Sequence, residues 1–275
     1  MLNKKHSNLQ KLGKELGPVY QNNPPFPNIY LDEFFDETFL SSVLDEFPDL
    51  EKAVDKIHYK NPNENKLASN GRDSFKENTK KLVDYLNSET FMAFLQEMTG
   101  IKEPLIADPQ YEGGGFHEIK KGGFLKLHVD FHKHRKLNLD RRLNLLVYLN
   151  KDWEESYGGN FELWEKDMSK QVVKILPIFN RMALFSTTGD SWHGHPDTLT
   201  CPDDRSRKSL ALYYYTEGRP DNEVAPSDQD RVTTTFIGRK GIDSPKMKVY
   251  NKLVNVANAI LPNAVVKFLK SFRKK

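Results

Sequence analysis

Between residues 26 and 107 the apolar positions recur at helical spacing. Phe39, Leu40, Val43, Leu44 and Phe47 fall at i, i+1, i+4, i+5 and i+8, which is one face of a helix, and Asp36 stands where an N-cap belongs. Leu82, Tyr85, Leu86, Phe91, Phe94, Leu95 and Met98 predict a second helical region over about 80–98, with Gly100 as its terminator. Ahead of the first helix, Phe26-Pro27-Asn28-Ile29-Tyr30-Leu31 has the form of a short edge strand. Residues 1–24 are rich in Lys and Asn and carry no sustained apolar period, so a disordered lead-in is expected there.

From about Asp108 the pattern shortens into apolar runs broken by Gly, Asn, Asp and Pro. Strands are predicted over 115–119, 124–132, 143–149, 159–164, 172–176, 181–186, 191–195 and 207–216. Short strands at roughly ten-residue spacing, with no helix between them long enough for a parallel crossover, argue for an antiparallel sandwich or barrel. Helices before strands make the chain α+β with a mainly β core. The implied divisions are a lead-in (1–24), a strand and helices packing on the barrel (25–107), the barrel (108–218), and a linker with C-terminal helices (219–275).

Composition narrows this little except in two places. A chain of 275 residues with 37% hydrophobic residues and a mean hydropathy of −0.68 buries one full core and is too polar for a bundle of membrane spans. Cys201 is the single cysteine, so a Cys-rich zinc site, an iron–sulfur cluster and an internal disulfide are all excluded. With no signal-peptide pattern at the start, a reducing, cytoplasmic location is expected. The net charge of +3 conceals an asymmetry: residues 246–275 hold eight Lys or Arg and no acid, leaving 33 basic against 38 acidic residues in 1–245.

The chemistry-bearing residues begin with His128-Val129-Asp130. Alternate residues of a strand share a face, so the imidazole and the carboxylate project together as two metal ligands. An HxD triplet alone is a weak signal. A third ligand is available in Ser191-Trp192-His193-Gly194-His195-Pro196, where His193 and His195 are both placed to face inward. Two His and one carboxylate with open coordination positions is the arrangement of non-haem Fe(II) oxygenases. Arg207 then opens the strand Arg207-Lys208-Ser209-Leu210-Ala211-Leu212-Tyr213-Tyr214-Tyr215. A guanidinium inside a barrel needs an anion, and a carboxylate matches it bidentately, although an ion pair with a structural Asp or Glu would satisfy it equally.

Taken in order, HxD, a distal His and a following Arg resemble the iron- and 2-oxoglutarate-dependent dioxygenases, in particular their prolyl-4-hydroxylase-like branch, which includes the hypoxia-sensing prolyl hydroxylases. The resemblance covers roughly 114–218. It extends to Arg142-Leu143-Asn144-Leu145-Leu146-Val147-Tyr148-Leu149-Asn150-Lys151-Asp152-Trp153, to Gly158-Gly159-Asn160-Phe161-Glu162-Leu163, and to Phe179-Asn180-Arg181-Met182-Ala183-Leu184-Phe185. It implies a double-stranded β-helix (jelly-roll) barrel with His128, Asp130 and His193 as metal ligands, His195 being second choice for the distal His. It implies Arg207, ahead of Arg205, and Tyr148 as the residues that bind the distal carboxylate of 2-oxoglutarate. The implied cofactors are Fe(II), 2-oxoglutarate and O2, with ascorbate as a candidate reductant. The implied reaction is hydroxylation of a C–H bond of a protein side chain, proline being the usual target of the branch, or of a small molecule, with 2-oxoglutarate decarboxylated to succinate. Asp130 favours hydroxylation, since halogenating relatives lose that carboxylate. His195 and a long loop between His193 and Arg207 depart from the family.

Two competing functions carry less. A nucleic-acid-repair oxygenase fits poorly with a net acidic body that lacks clustered aromatic and basic residues, and a non-catalytic β-barrel binding protein would not need all three ligands and the Arg. For the substrate, His132-Lys133-His134-Arg135-Lys136 at the expected rim of the site points to a peptide or small molecule of anionic character, against the plainer reading of a solvated loop. Tyr213, Tyr214, Trp192 and Trp164 are candidates for the pocket wall, although aromatic residues on strands are more often core. Cys201 reads as a bystander. In the tail, Val249, Tyr250, Leu253, Val254, Val256, Ala257, Ile260 and Leu261 form one helical stripe, and Val265, Phe268, Leu269 and Phe272 another beside Lys267, Lys270, Arg273, Lys274 and Lys275. Basic amphipathic helices suit peripheral contact with an anionic membrane, whereas packing on the barrel is the bland alternative.

Overall fold

The computed structural model describes residues 1–69, 74–108, 111 and 113–260. The chain opens with helix α1 (Leu9–Asn22), strand β1 (Asn28–Leu31) and helix α2 (Glu37–Asp45), followed by the hairpin β2 (Lys56–Asn61) and β3 (Glu64–Ser69). Helices α3 (Glu77–Leu86) and α4 (Glu89–Thr99) precede the strand-rich part. That part comprises β4 (Ile106–Ala107), β5 (Gly115–Lys120), β6 (Phe124–Val129), β7 (Asp140–Tyr148), β8 (Phe161–Trp164), β9 (Gln171–Ile175), β10 (Met182–Ser186), β11 (His193–His195) and β12 (Ser206–Thr216). Strand β13 (Thr235–Phe236) and helix α5 (Pro245–Ile260) follow.

Each of the eight strands expected between 115 and 216 is present. Joined by β1 and β3, they pair antiparallel in the order β1-β10-β7-β12-β5-β3-β6-β11-β8-β9, a nearly closed barrel. Strand β3 bridges its two halves, bonding to β5 through Leu67, Ala68 and Ser69 and to β6 through Glu64 and Asn65. The β2–β3 hairpin carries no apolar run that would reveal it, because Lys56–Asn61 alternates between exposed and half-buried positions.

Alternation along β7 and β12 decides which side chains meet the site. Leu143, Leu145 and Val147, with Leu210, Leu212 and Tyr214, turn outward into a large core shared with the helices. Asn144 and Tyr148, with Arg207, Ser209 and Tyr213, turn into the barrel. Burial on both faces makes these strands read as nearly continuous apolar runs.

The helices obey local rules at their ends. The Asp36 side chain accepts from the Phe39 N–H at 2.8 Å and caps α2. The single helical region expected over 80–98 is two helices, because Ser88 accepts from the Phe91 N–H and starts α4 afresh. Gly100 ends α4 in the left-handed conformation, φ 76°.

The first 24 residues depart from expectation: α1 is a capped helix, not a disordered lead-in. Its Gly13, Gly17 and Pro18 lower helix propensity, which is why the sequence pattern misses it. Those same glycines let it lie close to α4. A Cβ at Gly13 would sit 3.2 Å from the Phe94 carbonyl oxygen, so tertiary contact overrides propensity. Tyr20, fully buried, then reaches Ser186 of β10 with its hydroxyl at 2.8 Å.

Phe94 joins Phe34 and Phe91 in the aromatic cluster beneath α1, with ring centroids 6.3 and 5.4 Å away. Phe94→Ala is expected to cost about 3–5 kcal/mol of stability, read as a lower urea midpoint at unchanged slope.

Candidate metal centre

The barrel brings His193 of β11 directly opposite His128 of β6. Asp130 follows one residue beyond the end of β6, and ligand atoms of His128, Asp130 and His193 lie within 4.8 Å of one another, the one such group among the described residues. Asp130 Oδ1 is 3.6 Å from His128 Nε2, and Oδ2 is 3.4 Å from His193 Nε2. All three residues are buried.

The ring orientations are set by the backbone. His128 Nδ1 lies 2.9 Å from the Lys126 carbonyl oxygen, and His193 Nδ1 lies 2.8 Å from that of Ser191. A carbonyl only accepts, so both Nδ1 atoms carry a proton, and the neutral form of each ring presents its Nε2 lone pair to the common centre. Burial, with His193 adding to it, brings the His128 pKa down to about 3, which keeps the ring in its ligating neutral form. The donor set therefore fits a divalent transition metal, and neutral imidazoles with one carboxylate match iron.

Asp130 is held by two residues that sequence reasoning did not single out. Arg141 donates to its Oδ2 at 3.1 Å and Asn144 at 2.7 Å, while Arg141 also grips the Asn144 oxygen at 2.6 and 2.8 Å. Burial alone would raise the Asp130 carboxyl; Arg141, and after it His193, outweigh that and keep it well below the ordinary carboxylate range. The Arg141 guanidinium is sandwiched by Tyr213, 3.4 Å from its ring centre, and Phe131, at 4.6 Å. Simple alternation would point Arg141 away from Asn144. A register shift opposite Tyr214 and Tyr215 inserts Arg142 as an extra residue and turns Arg141 inward. A bulge of this kind leaves no mark in the sequence pattern.

Arg207 sits deeper in the barrel and is 3% exposed. Its Nε donates to the Gly159 carbonyl at 2.8 Å, and an Nη lies 3.4 Å from the Tyr148 hydroxyl. No carboxylate among the described residues pairs with it. Burial consequently pulls its pKa below the usual value, opposed by the Tyr148 phenol. The glycine at 159 is required by that approach: its φ is 72°, and a Cβ there would stand 3.0 Å from Arg207 Cδ. Arg205 lies outside the site and donates to the Lys151 and Asp152 carbonyls.

The second histidine of β11, His195, is buried but is not part of the cluster. Phe185 and Phe161 close on His193 with ring centroids 4.6 and 5.6 Å away. From the segment expected to be a linker, β13 pairs with Val129 and His128, and Phe236 packs its ring 5.2 Å from that of His128. Arg231 of the same segment donates to the Asp130 carbonyl at 3.2 Å. These contacts join residues about a hundred positions apart, which local pattern does not report.

Within the basic run at 132–136, His132 and His134 are buried and Lys133 is paired with buried Asp140 at 2.8 Å, whereas Arg135 and Lys136 are exposed. Of the aromatic candidates, Tyr213 faces Arg141, whereas Tyr214 points outward and donates to the Leu86 carbonyl. Trp164 and Trp192 are half-buried and bond to Glu162 and the Lys166 carbonyl. Cys201 is packed with Ile119, Trp153 and Leu199.

Residues 114–215 match the 2OG-Fe(II) oxygenase superfamily. The match takes in His128, Asp130, His193 and Arg207 together. Among curated proteins, this chain is 26% identical over 218 residues to prolyl 3,4-dihydroxylase OGFOD1 of Ostreococcus tauri, covering 72% of this chain and 39% of that protein. It is 29% identical over 79 residues to mouse prolyl 3-hydroxylase OGFOD1, covering 27% of this chain and 14% of that protein. The chain thus spans well under half the length of these relatives. Two solved structures share the fold. A Trichoplax adhaerens prolyl hydroxylase bound to a hypoxia inducible factor peptide fragment superposes with a TM-score of 0.58 at 16% identity, covering 78% of this chain and 93% of that one. A Pseudomonas putida prolyl-4-hydroxylase superposes at 0.54 with 15% identity, covering 74% and 100%. The double-stranded β-helix of the oxygenase domain is therefore the expected one.

Between the two histidines, Gly194 permits the approach of β11 to β6: a Cβ there would stand 2.8 Å from the Leu125 oxygen and 3.0 Å from that of Lys126. Gly194→Ala is expected to push β11 away and weaken metal affinity by tenfold or more, on the order of the loss seen when groups supporting a metal's ligands are removed, with the fold retained by circular dichroism.

Proposed function

We propose that the chain is an Fe(II)- and 2-oxoglutarate-dependent hydroxylase whose substrate is a peptide or protein side chain, with proline as the leading candidate. The observation that carries the reading is a buried Arg207 without a carboxylate partner among the described residues, in the same barrel as the His128–Asp130–His193 cluster. A purely structural arginine at 3% exposure would be expected to pair with an acid of its own, whereas this one is poised for an anion that arrives. The prolyl substrate is inferred from the likeness to the OGFOD1 prolyl hydroxylases.

On this reading His128 and His193 would hold iron through Nε2, Asp130 would complete the set, and Arg207 with Tyr148 would receive the distal carboxylate of 2-oxoglutarate. Bound iron and 2-oxoglutarate supply the oxidation of a C–H bond by O2, with decarboxylation to succinate. The protein's own residues provide position and dryness. Two backbone carbonyls lock the ligand tautomers, Arg141 and Asn144 fix the plane of the Asp130 carboxylate, and Phe161, Phe185 and Phe236 shield the histidines from water. In an anaerobic titration with Fe(II) and 2-oxoglutarate, the wild type is expected to develop a weak visible charge-transfer band that Asp130→Ala loses. Succinate should form in step with a 16 Da gain on a prolyl peptide; absence of the band in the wild type would remove the assignment.

A peripheral membrane contact is proposed from α5. Val249 and Leu253 are 60% and 64% exposed on its outer side while Met247 is buried on its inner side, and exposed Lys248 and Lys252 flank them. An outward apolar pair set among lysines, in a stretch without acids, matches an anionic lipid surface in both hydrophobic and charge character. Among the described residues no helix is long and apolar enough to cross a membrane. The second basic stripe, Val265 to Phe272, lies outside the described residues. Val249→Asp with Leu253→Asp is expected to release the protein from phosphatidylserine vesicles without changing turnover; unchanged co-sedimentation would rule the contact out.

A further inference from the structure

Among the described residues that line the barrel, His195 is a buried imidazole, 3% exposed, with neither Nδ1 nor Nε2 hydrogen-bonded. A buried imidazole offers one donor and one acceptor, and leaving both unanswered is destabilising unless something else answers them. Other histidines of the barrel are answered: His128 and His193 each donate to a backbone carbonyl, and His117 Nε2 lies 3.0 Å from the Gly113 oxygen.

Its surroundings indicate what is wanted. His193 and His195 are the two ends of a three-residue strand, so their side chains leave the same face. The pairing with β6 slips between them, placing His195 across from Leu125 and farther along the barrel than the ligand pair. Strand β11 runs antiparallel beside β8, with His193 opposite Leu163 and Gly194 opposite Glu162, which carries His195 toward Gly159, the residue whose carbonyl accepts from Arg207 Nε at 2.8 Å. Arg207 in turn is anchored on one side only, by the Gly159 carbonyl and the Tyr148 hydroxyl. A guanidinium, a phenol and an imidazole with no bonded nitrogen therefore occupy one buried region without an acceptor of the charge to match.

We propose that His195 is a third donor to the distal carboxylate of 2-oxoglutarate, beside Arg207 and Tyr148, and so a specificity-determining residue for the co-substrate. The inference rests on the 2-oxoglutarate reading given above. A carboxylate has two oxygens and about four lone-pair directions, so three side-chain donors can be accommodated without competing. An aliphatic residue at 195 would fill the space but leave one of those directions unanswered in a region closed to water, which is where a missing donor weakens binding most.

The test compares two ligands in the Mn(II)-loaded protein without turnover, by calorimetry: 2-oxoglutarate, and 2-oxopentanoate, which keeps the keto acid head and the five-carbon chain but lacks the distal carboxylate. His195→Leu is expected to raise the Kd for 2-oxoglutarate about tenfold or more, as loss of a hydrogen bond to a charged group does, while the Kd values for 2-oxopentanoate and for Mn(II) stay within twofold. His195→Gln, which restores an N–H donor, should recover part of the loss. Equal weakening of both keto acids, or no weakening of either, would overturn the proposal, as would a fall in Mn(II) affinity, which would make His195 a support of the metal site. A wild type that binds both keto acids equally well would instead strike at the 2-oxoglutarate reading itself.

Discussion

The contact on which the site depends is the antiparallel pairing of β11 with β6, which sets His193 across from His128 with Gly194 against the β6 backbone. Any side chain at 194 would meet carbonyl oxygens before the strands reached hydrogen-bonding distance. Because the two imidazoles are each tied at Nδ1 to a carbonyl two residues earlier in their own chain, strand geometry is converted directly into ligand geometry. Asp130, past the end of β6, needs a different restraint, and receives it from Arg141 and Asn144 on β7. The metal centre is thus a product of three strands and no helix.

Charge inside the barrel is arranged unevenly, and the unevenness is informative. The single acid of the cluster is balanced by Arg141, itself held between two aromatic rings. A dication added to that pair would leave the region positive, and Arg207 adds a further charge with no acid paired to it among the described residues. Such an excess is costly in a buried region unless anions complete it. A dicarboxylate that places one end at the metal and the other at Arg207 would neutralise both centres at once, so the electrostatics of the barrel and the proposed co-substrate explain each other.

The elements outside the barrel act as braces. Helices α1 to α4 cover the outer faces of β7, β10 and β12, which lets the inner faces hold polar side chains without the sheet losing its core. On the other side, the segment from Arg231 to Phe236 ties itself to β6 and closes over His128. An ion-pair network in which Asp243 meets both Lys126 and Arg239 then leads into α5, whose outer face carries the exposed apolar and basic residues. Through Asp243 and Lys126, the segment leading into α5 is in this way tied to β6, the strand that carries His128.

The eight barrel strands, the caps at Asp36 and Gly100, the His128–Asp130 pair and Arg207 were legible in the residues, because period-two alternation, capping and the need of a buried guanidinium for an anion are local or chemical facts. The pattern also left His193 and His195 equal, since both share a face; strand register separated them by putting only His193 opposite His128. Helix α1 was invisible because its glycines are poor helix formers and are useful only against α4. Arg141 was invisible because a bulge, set by the pairing of β7 with β12, reversed its direction. The basic run at 132–136 is divided by the fold, with His132 and His134 turned inward and Arg135 and Lys136 left exposed, a division that the sequence pattern does not show. Local pattern determines which residues form strands and which chemistry they carry; the tertiary structure alone decides register, bulges and burial, because those depend on contacts between residues far apart in the chain.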